Sequence, residues 1–326
     1  MDTATHVVMG FAIGGLATLD PVVAESTVNT QSVLIAAVIG SQIPDIDTLL
    51  KLRNNAVYIR NHRGITHSLP AILFWSVLVA AFVYFIFPEA NWTHLWIWSL
   101  VAVSVHVFVD IFNAYGTQAL RPITSRWIAL GMINTFDPYI FGIHVLGIVI
   151  WLLGGHPGYT FLVMYIIIAL YYVLRFIMQK MVKSAVLKTI PDAERIIIAS
   201  TMYFNQWRIA VTTKDHFYVG RAYRRSVTIF DKFKRDSVPD NDIFRAAQKD
   251  KNVSAFLSFS PVYRWEIQRY DDYTEVRFID LRYRSNGHYP FVAIVKLTDE
   301  LEVITSYTGW VYSEEKLRKK VRVATD

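Results

Sequence analysis

The sequence predicts an α-helical membrane domain, a short N-terminal helical hairpin plus four transmembrane helices, followed by a β-rich α+β domain on the cytoplasmic side. Composition is the first observation behind this. Apolar residues make up 53% of the 326 residues and charged residues only 18%. The second is uneven charge. Residues 1–178 carry 7 Lys+Arg against 8 Asp+Glu, and residues 179–326 carry 26 against 19, so a nearly neutral half precedes one of net +7. The third is that seven of the nine histidines lie in the charge-poor half. An ionisable group in lipid is expensive and is usually there for function. The expected domains are a membrane-embedded metal-site domain (1–178), an amphipathic linker helix (179–190) and a β-rich domain (191–326).

The elements follow in order. Residues 6–19 form a short apolar helix with Thr3 or Thr5 as N-cap, and residues 32–43 form another. Each is shorter than the roughly 20 residues that a span needs, so they read as a hairpin that brings His6 and Asp45 to one open end. Gly10, Gly14 and Gly15 allow its helices to pack closely. Spans are expected at 69–87, 92–112, 139–154 and 159–178. Loops 51–67 and 114–137 hold Lys51, Arg53, Arg60, Arg63, Arg121 and Arg126, whereas turns 88–91 and 155–158 hold no Lys or Arg. The positive-inside rule places both basic loops and the C-terminal half in the cytoplasm of a multi-pass cell-membrane protein. Met1-Asp2 lacks the basic start of a cleaved signal peptide and is expected to stay in the mature chain.

From Arg195 onward, β-branched and aromatic residues alternate with polar ones, which predicts antiparallel strands with one wet face. Residues 239–252 are expected to form a short helix, and the tail 313–326 is charged and either helical or disordered. The absence of cysteine excludes disulfides and thiolate metal sites. Beside a membrane, the basic half argues for anionic lipid over nucleic acid, and its β-rich domain is a candidate for a protein partner.

The chemistry concentrates in residues 44–68. Asp45 and Asp47 follow Pro44, and His62-Arg63-Gly64-Ile65-Thr66-His67 lies beyond them. Carboxylate and imidazole are the usual ligands of zinc, manganese and iron. His106 and Asp110, four residues apart on one helix face, could bind one metal; the plainer alternative is a buried polar pair. One of Asp45 and Asp47 could cap a helix beginning near Thr48, with Asp47 slightly favoured as the closer ligand. Gly64 permits a tight turn that aims both imidazoles inward, and Arg63 offers a planar fork for phosphate. Thr66 and Ser68 read as caps, and Asp137-Pro138 as a helix start. His94 and His144 read as structural, while Asn113 and Arg121 fall near the depth of the site. The candidate metal ligands are thus His6, Asp45, Asp47, His62, His67, His106 and Asp110. Seven exceed the ligand set of one catalytic zinc, so some act from behind the ligands or two ions bind.

His6 with PDID at 44–47, HRGITHS at 62–68 and HVFVD at 106–110 resembles the YdjM-like family of predicted membrane-bound metal-dependent hydrolases, nearest the YfhP-type members with a C-terminal extension. A weaker similarity reaches helical zinc-dependent phospholipases C and P1-type nucleases. By that pattern His106, Asp110, Asp45 or Asp47, and His62 or His67 would hold one metal, and Asp110 would bridge to a second near His6. Those enzymes also use a free terminal amine, whereas here five residues precede His6. The expectation is a metal-dependent hydrolase holding one or two divalent ions, zinc or manganese. It would act at the cytoplasmic interface on a phosphoester such as a phospholipid, with Asp45 and Arg63 in catalytic roles. The alternative is a non-catalytic membrane-anchored regulator with a structural metal.

Overall fold

The computed structural model describes residues 1–321. The end of the expected tail, residues 322–326, lies outside the described residues. The chain divides into two compact units. One comprises Met1–Asp47, Arg63–Met181 and Ala199–Gln206; the other comprises Thr48–His62, Val182–Ile198 and the chain from Trp207.

The first unit is helical. It holds α1 (Thr3–Leu16), α2 (Pro21–Ala24) and α3 (Thr27–Gly40). A 3-10 run, Ile43–Leu52, follows α3 at an angle of 42°. That run takes in both Asp45 and Asp47, so neither caps a helix at Thr48. After α4 (Asn55–Asn61), which belongs to the other unit, come a 3-10 turn at Ile65–His67, α5 (Leu69–Ile86), α6 (Trp92–Asp110), α7 (Pro138–Leu152) and α8 (Pro157–Thr189). The stretch expected as a separate linker helix is the unbroken end of α8.

Asp2, not Thr3 or Thr5, caps α1 by accepting from the Ala4 and Thr5 amides at 3.0 and 3.3 Å. A carboxylate there also complements the positive end of the helix dipole. The expected close packing of α1 is present. A Cβ on Gly10 would stand 2.5 Å from Ser41 Oγ and 2.7 Å from Val38 Cα, and one on Gly14 would stand 2.9 Å from Leu34 Cα. Met9 and Ile13 of α1, Ala37 of α3 and Ala102 of α6 share one apolar core. The open ends of α1, α3 and α6 are thereby fixed relative to one another.

Among the described residues, three helices are long and apolar enough to cross a membrane: Leu69–Ile86, Trp92–Asp110 and Pro157–Thr189. There are four if Thr27–Gly40 and the bent Ile43–Leu52 count as one span. Of the expected spans, 139–154 corresponds to α7, whose 15 residues reach about 22 Å, short of a core of about 30 Å. Only 28% of the α5 window is buried, and its outward residues Leu69, Leu73, Phe74 and Val77 are apolar. Such an exterior suits lipid.

The second unit carries two four-stranded sheets. One has the order β1 (Arg195–Ser200), β2 (Gln206–Thr212), β3 (His216–Tyr223), β4 (Ser226–Lys234). Next come α9 (Asp242–Lys249), inside the stretch 239–252 expected to be helical, and α10 (Lys251–Phe259), which was not expected. The other sheet has the order β5 (Tyr263–Arg269), β6 (Thr274–Asp280), β7 (Phe291–Leu297), β8 (Val303–Trp310), followed by α11 (Glu314–Lys320). β4 alternates in exposure as expected, but β7 is buried throughout. Its Phe291 ring stacks on Phe256 of α10, while Val292 and Ile294 pack with Leu317 and Val321 beside α11. Helices on both faces explain an apolar run where one wet face was expected. Asn55 of α4 donates to the Thr308 carbonyl at 3.2 Å, which ties α4 to this sheet.

Gly10→Ala tests the tight helix crossing. The added methyl meets backbone, and overpacking of that kind costs about 1–3 kcal/mol. The expected result is a lower unfolding temperature in detergent, with secondary structure retained.

Candidate metal centre

α6 runs apolar almost to its end and closes with His106 and Asp110, both fully buried. The His106 Nδ1–H donates to the Ser41 carbonyl at 2.6 Å. That carbonyl sits at the C-cap of α3, where helix carbonyls lack partners within the helix. His106 Nε2 therefore keeps its lone pair. The same logic applies to His67. The Thr66 hydroxyl donates to Asp47 Oδ2 at 2.6 Å, so its oxygen accepts from His67 Nδ1–H at 3.0 Å. His67 Nε2 is left facing His106 Nε2 at 3.3 Å. Burial, opposed by Asp45, pushes the His67 pKa down to about 3, so both its character and its tautomer suit a metal ligand.

Two carboxylate oxygens meet these nitrogens. Asp45 Oδ1 lies 3.5 Å from His67 Nε2 and 3.8 Å from His106 Nε2. Asp110 Oδ2 lies 3.6 and 3.9 Å from the same two atoms. Ligand atoms 2.0–2.1 Å from a tetrahedral zinc stand about 3.4 Å apart. Asp45 Oδ1 is buried with no hydrogen-bond partner among the described residues. Facing lone pairs and carboxylates of this kind repel one another unless a cation lies between them. The donor set, the spacing and the orphaned oxygen all fit one divalent ion. The buried His/Asp cluster could bind a metal.

The other face of Asp110 is also engaged. Oδ1 accepts from Asn113 Nδ2 at 3.3 Å, meets the Met1 nitrogen directly, and lies 3.5 Å from His6 Nε2. The His6 ring stacks on His106 at 3.8 Å. The five residues before His6 do not carry Met1 away, because Asp2 starts α1 at once. Arg63 is 4% exposed. Its Nη2 reaches Asp110 Oδ2 at 3.1 Å and the Met1 carbonyl at 3.0 Å, and its Nε and Nη1 are buried without partners among the described residues.

Residues 1–182 match the YdjM inner membrane protein family. The chain belongs to that family. Residues 191–233 match the YfhP middle domain, and residues 242–321 the YfhP C-terminal alpha/beta plait domain. The chain is 60% identical over 326 residues, the whole of both sequences, to the uncharacterized protein YfhP of Bacillus subtilis (strain 168). No solved structure matches.

In this YdjM-family protein the remaining candidates have the following places. Asp45, rather than the favoured Asp47, offers an oxygen to the four-residue cluster. Asp47 Oδ2 instead accepts from the Arg63 amide at 2.8 Å and from Thr66, so it holds the 63–67 loop. The left-handed residue of that loop is Arg63, at φ 59°, and not Gly64, at φ −91°. His62 ends α4 in the second unit, with its ring on Tyr58 at 4.6 Å. Ser68 caps α5 and Asp137 caps α7. His94 bonds Asp20 at 2.6 Å, and His144 bonds the Ile140 carbonyl at 2.8 Å. The sequence reading missed Ser41, which acts through its backbone, and the bridging role of Thr66. A hydroxyl next to a histidine was the only visible signal for Thr66.

Asp47→Asn and Thr66→Val should each weaken metal binding about 10–100-fold, as expected for groups that orient a ligand. Competition with a chromophoric chelator measures this. Unchanged affinity in both would show that the relay does not set His67.

Proposed function

We propose that the chain is an integral membrane metal-dependent hydrolase acting on a phosphoester, with phospholipids or lipid-linked phosphates as the substrate class. One observation carries the proposal: two lone-pair nitrogens and two carboxylate oxygens converge beside a buried guanidinium with two unused donors. Asp45, His67, His106 and Asp110 would hold one divalent cation, zinc or manganese. His6, against the second oxygen of Asp110, is the side chain placed for another. A bound cation supplies Lewis acidity, polarising a phosphoryl oxygen and acidifying water. Arg63 turns Nε and Nη1 to an anionic oxygen of the substrate. Asp45, at 18% exposure against 0% for His67, His106 and Asp110, takes the proton of the attacking water. The P–O bond to the leaving alcohol breaks, and that proton passes to the alcohol.

Elemental analysis of detergent-purified protein should find about one equivalent of zinc or manganese, the count of one tetrahedral set, rising to two if the His6 position fills. His106→Ala and Asp110→Ala should lose both the metal and the hydrolysis. Arg63→Gln should keep the metal and lose roughly 10²–10³-fold in turnover. Full turnover in all three variants would sink the proposal.

A second reading is supported by the ligand count. Four protein ligands close a tetrahedral zinc, which is the pattern of structural sites. The protein would then be a membrane-anchored regulator whose β-rich unit binds a partner. The same variants would lower its unfolding temperature, with no turnover to lose.

In either case we place the β-rich unit in the cytoplasm, on the strength of the basic loops. The chain has no cysteine, so single substitutions report cleanly. In intact cells a membrane-impermeant maleimide should label Glu89→Cys and should reach Asp299→Cys only after permeabilisation. The reverse pattern would invert the topology.

A further inference from the structure

The helical unit carries a groove of about 620 Å³ where the 65–70 segment meets residues 121–125. Backbone hydrogen bonds clip its walls together. The Leu69 amide donates to the Arg121 carbonyl at 3.3 Å, and the Gln118 amide to the Arg63 carbonyl at 2.9 Å. Gln118 Nε2 also donates to the Ser125 carbonyl at 2.7 Å. The groove loop is therefore hitched to the segment that carries Arg63 and His67.

Its chemistry is of two kinds. The Arg121 guanidinium and the Ser125 hydroxyl have no side-chain partner among the described residues. The Thr124 hydroxyl accepts from the Arg126 amide, which leaves its proton to donate. Three donor groups, one of them cationic, thus line the groove. Beside them Ile65 is 65% exposed and Ile123 is 80% exposed. Isoleucines so far out of a fold are costly in water and natural in lipid. From the groove, at Pro70, the exposed residues Leu69, Leu73 and Val77 form a stripe of four-residue spacing along α5. That stripe belongs to a helix of membrane-span length and hydropathy.

We propose that this groove docks a phospholipid. Its phosphate is held by Arg121, Thr124 and Ser125, and its acyl chains lie between Ile65 and Ile123 and along the Leu69–Leu73–Val77 stripe. A guanidinium with two hydroxyls suits a phosphate's several acceptor oxygens, and the adjoining apolar track separates a lipid from a soluble phosphate. As the entry for substrate, the groove rests on the hydrolase proposal; as a lipid site, it does not.

The test uses full-length protein in nanodiscs of phosphatidylcholine doped with a diazirine-tagged phosphatidylglycerol. Photolysis and peptide mass spectrometry then locate the lipid. Wild type should concentrate label on residues 65–73 and 120–126. Arg121→Ala should cut that label about tenfold, Thr124→Ala/Ser125→Ala should cut it less, and Arg121→Lys should restore part of it. Label spread evenly over the outer faces of α5, α6 and α8, in wild type and Arg121→Ala alike, would overturn the proposal. Displacement of the label by inorganic phosphate would also overturn it, because the groove would then read a free anion. His106→Ala separates the two proposals. Label retained there without hydrolysis keeps the groove independent of catalysis. Hydrolysis by a wild type that shows no groove label leaves the hydrolase standing and removes the groove.

Discussion

Asp110 places a carboxylate at the last residue of an apolar helix with no solvent contact, and an uncompensated charge in such a place costs several kcal/mol. Much of the polar structure of the helical unit answers that cost. Arg63 and the two histidines face one oxygen, and His6, Asn113 and the Met1 nitrogen face the other. Asn113 in turn accepts from the Tyr115 and Gly116 amides at 2.8 Å each, which turns the chain as it leaves α6. Close packing at Gly10 and the shared core of α1, α3 and α6 hold these groups at one level. A site of this kind is positioned by helix ends and is only as accurate as the packing between them.

Much of this was legible in sequence, and the reasons differ by residue. His106 and Asp110 were readable because a four-residue spacing fixes a shared face whatever the tertiary structure. The glycines of α1 were readable because close packing in an apolar helix has few other uses. The choice between Asp45 and Asp47 was not readable, because a 3-10 run advances side chains by a different angle from an α-helix. His62 ends α4, which belongs with the β-rich unit, and nothing local in the sequence marks Asn55–Asn61 for that. β7 looked like a half-wet strand until two sets of helices were seen to cover it. α7 was located to within two residues at either end, but its 15 residues, like the 16 expected, fall short of the roughly 20 that a span needs.

The basic half reads differently once its partners are visible. Arg277 reaches Glu314, Arg282 reaches Asp280, Arg284 reaches Asp231 and Arg318 reaches Glu275. These arginines hold strands and helices together, so they are not themselves free to meet an external polyanion. The exposed pairs contribute little each. The buried Asp280–Arg282 pair, in which Nε and Nη2 both reach the carboxylate, fixes geometry more than it adds stability.

Arg63 carries two demands at once. Its backbone is left-handed, which costs an ordinary residue about 1–2 kcal/mol, and its side chain must reach into the centre. Glycine or asparagine would satisfy the first demand better and fail the second. Losing the side chain would leave the buried Asp110 carboxylate with one partner fewer, so at position 63 relief of backbone strain and compensation of a buried charge pull stability in opposite directions.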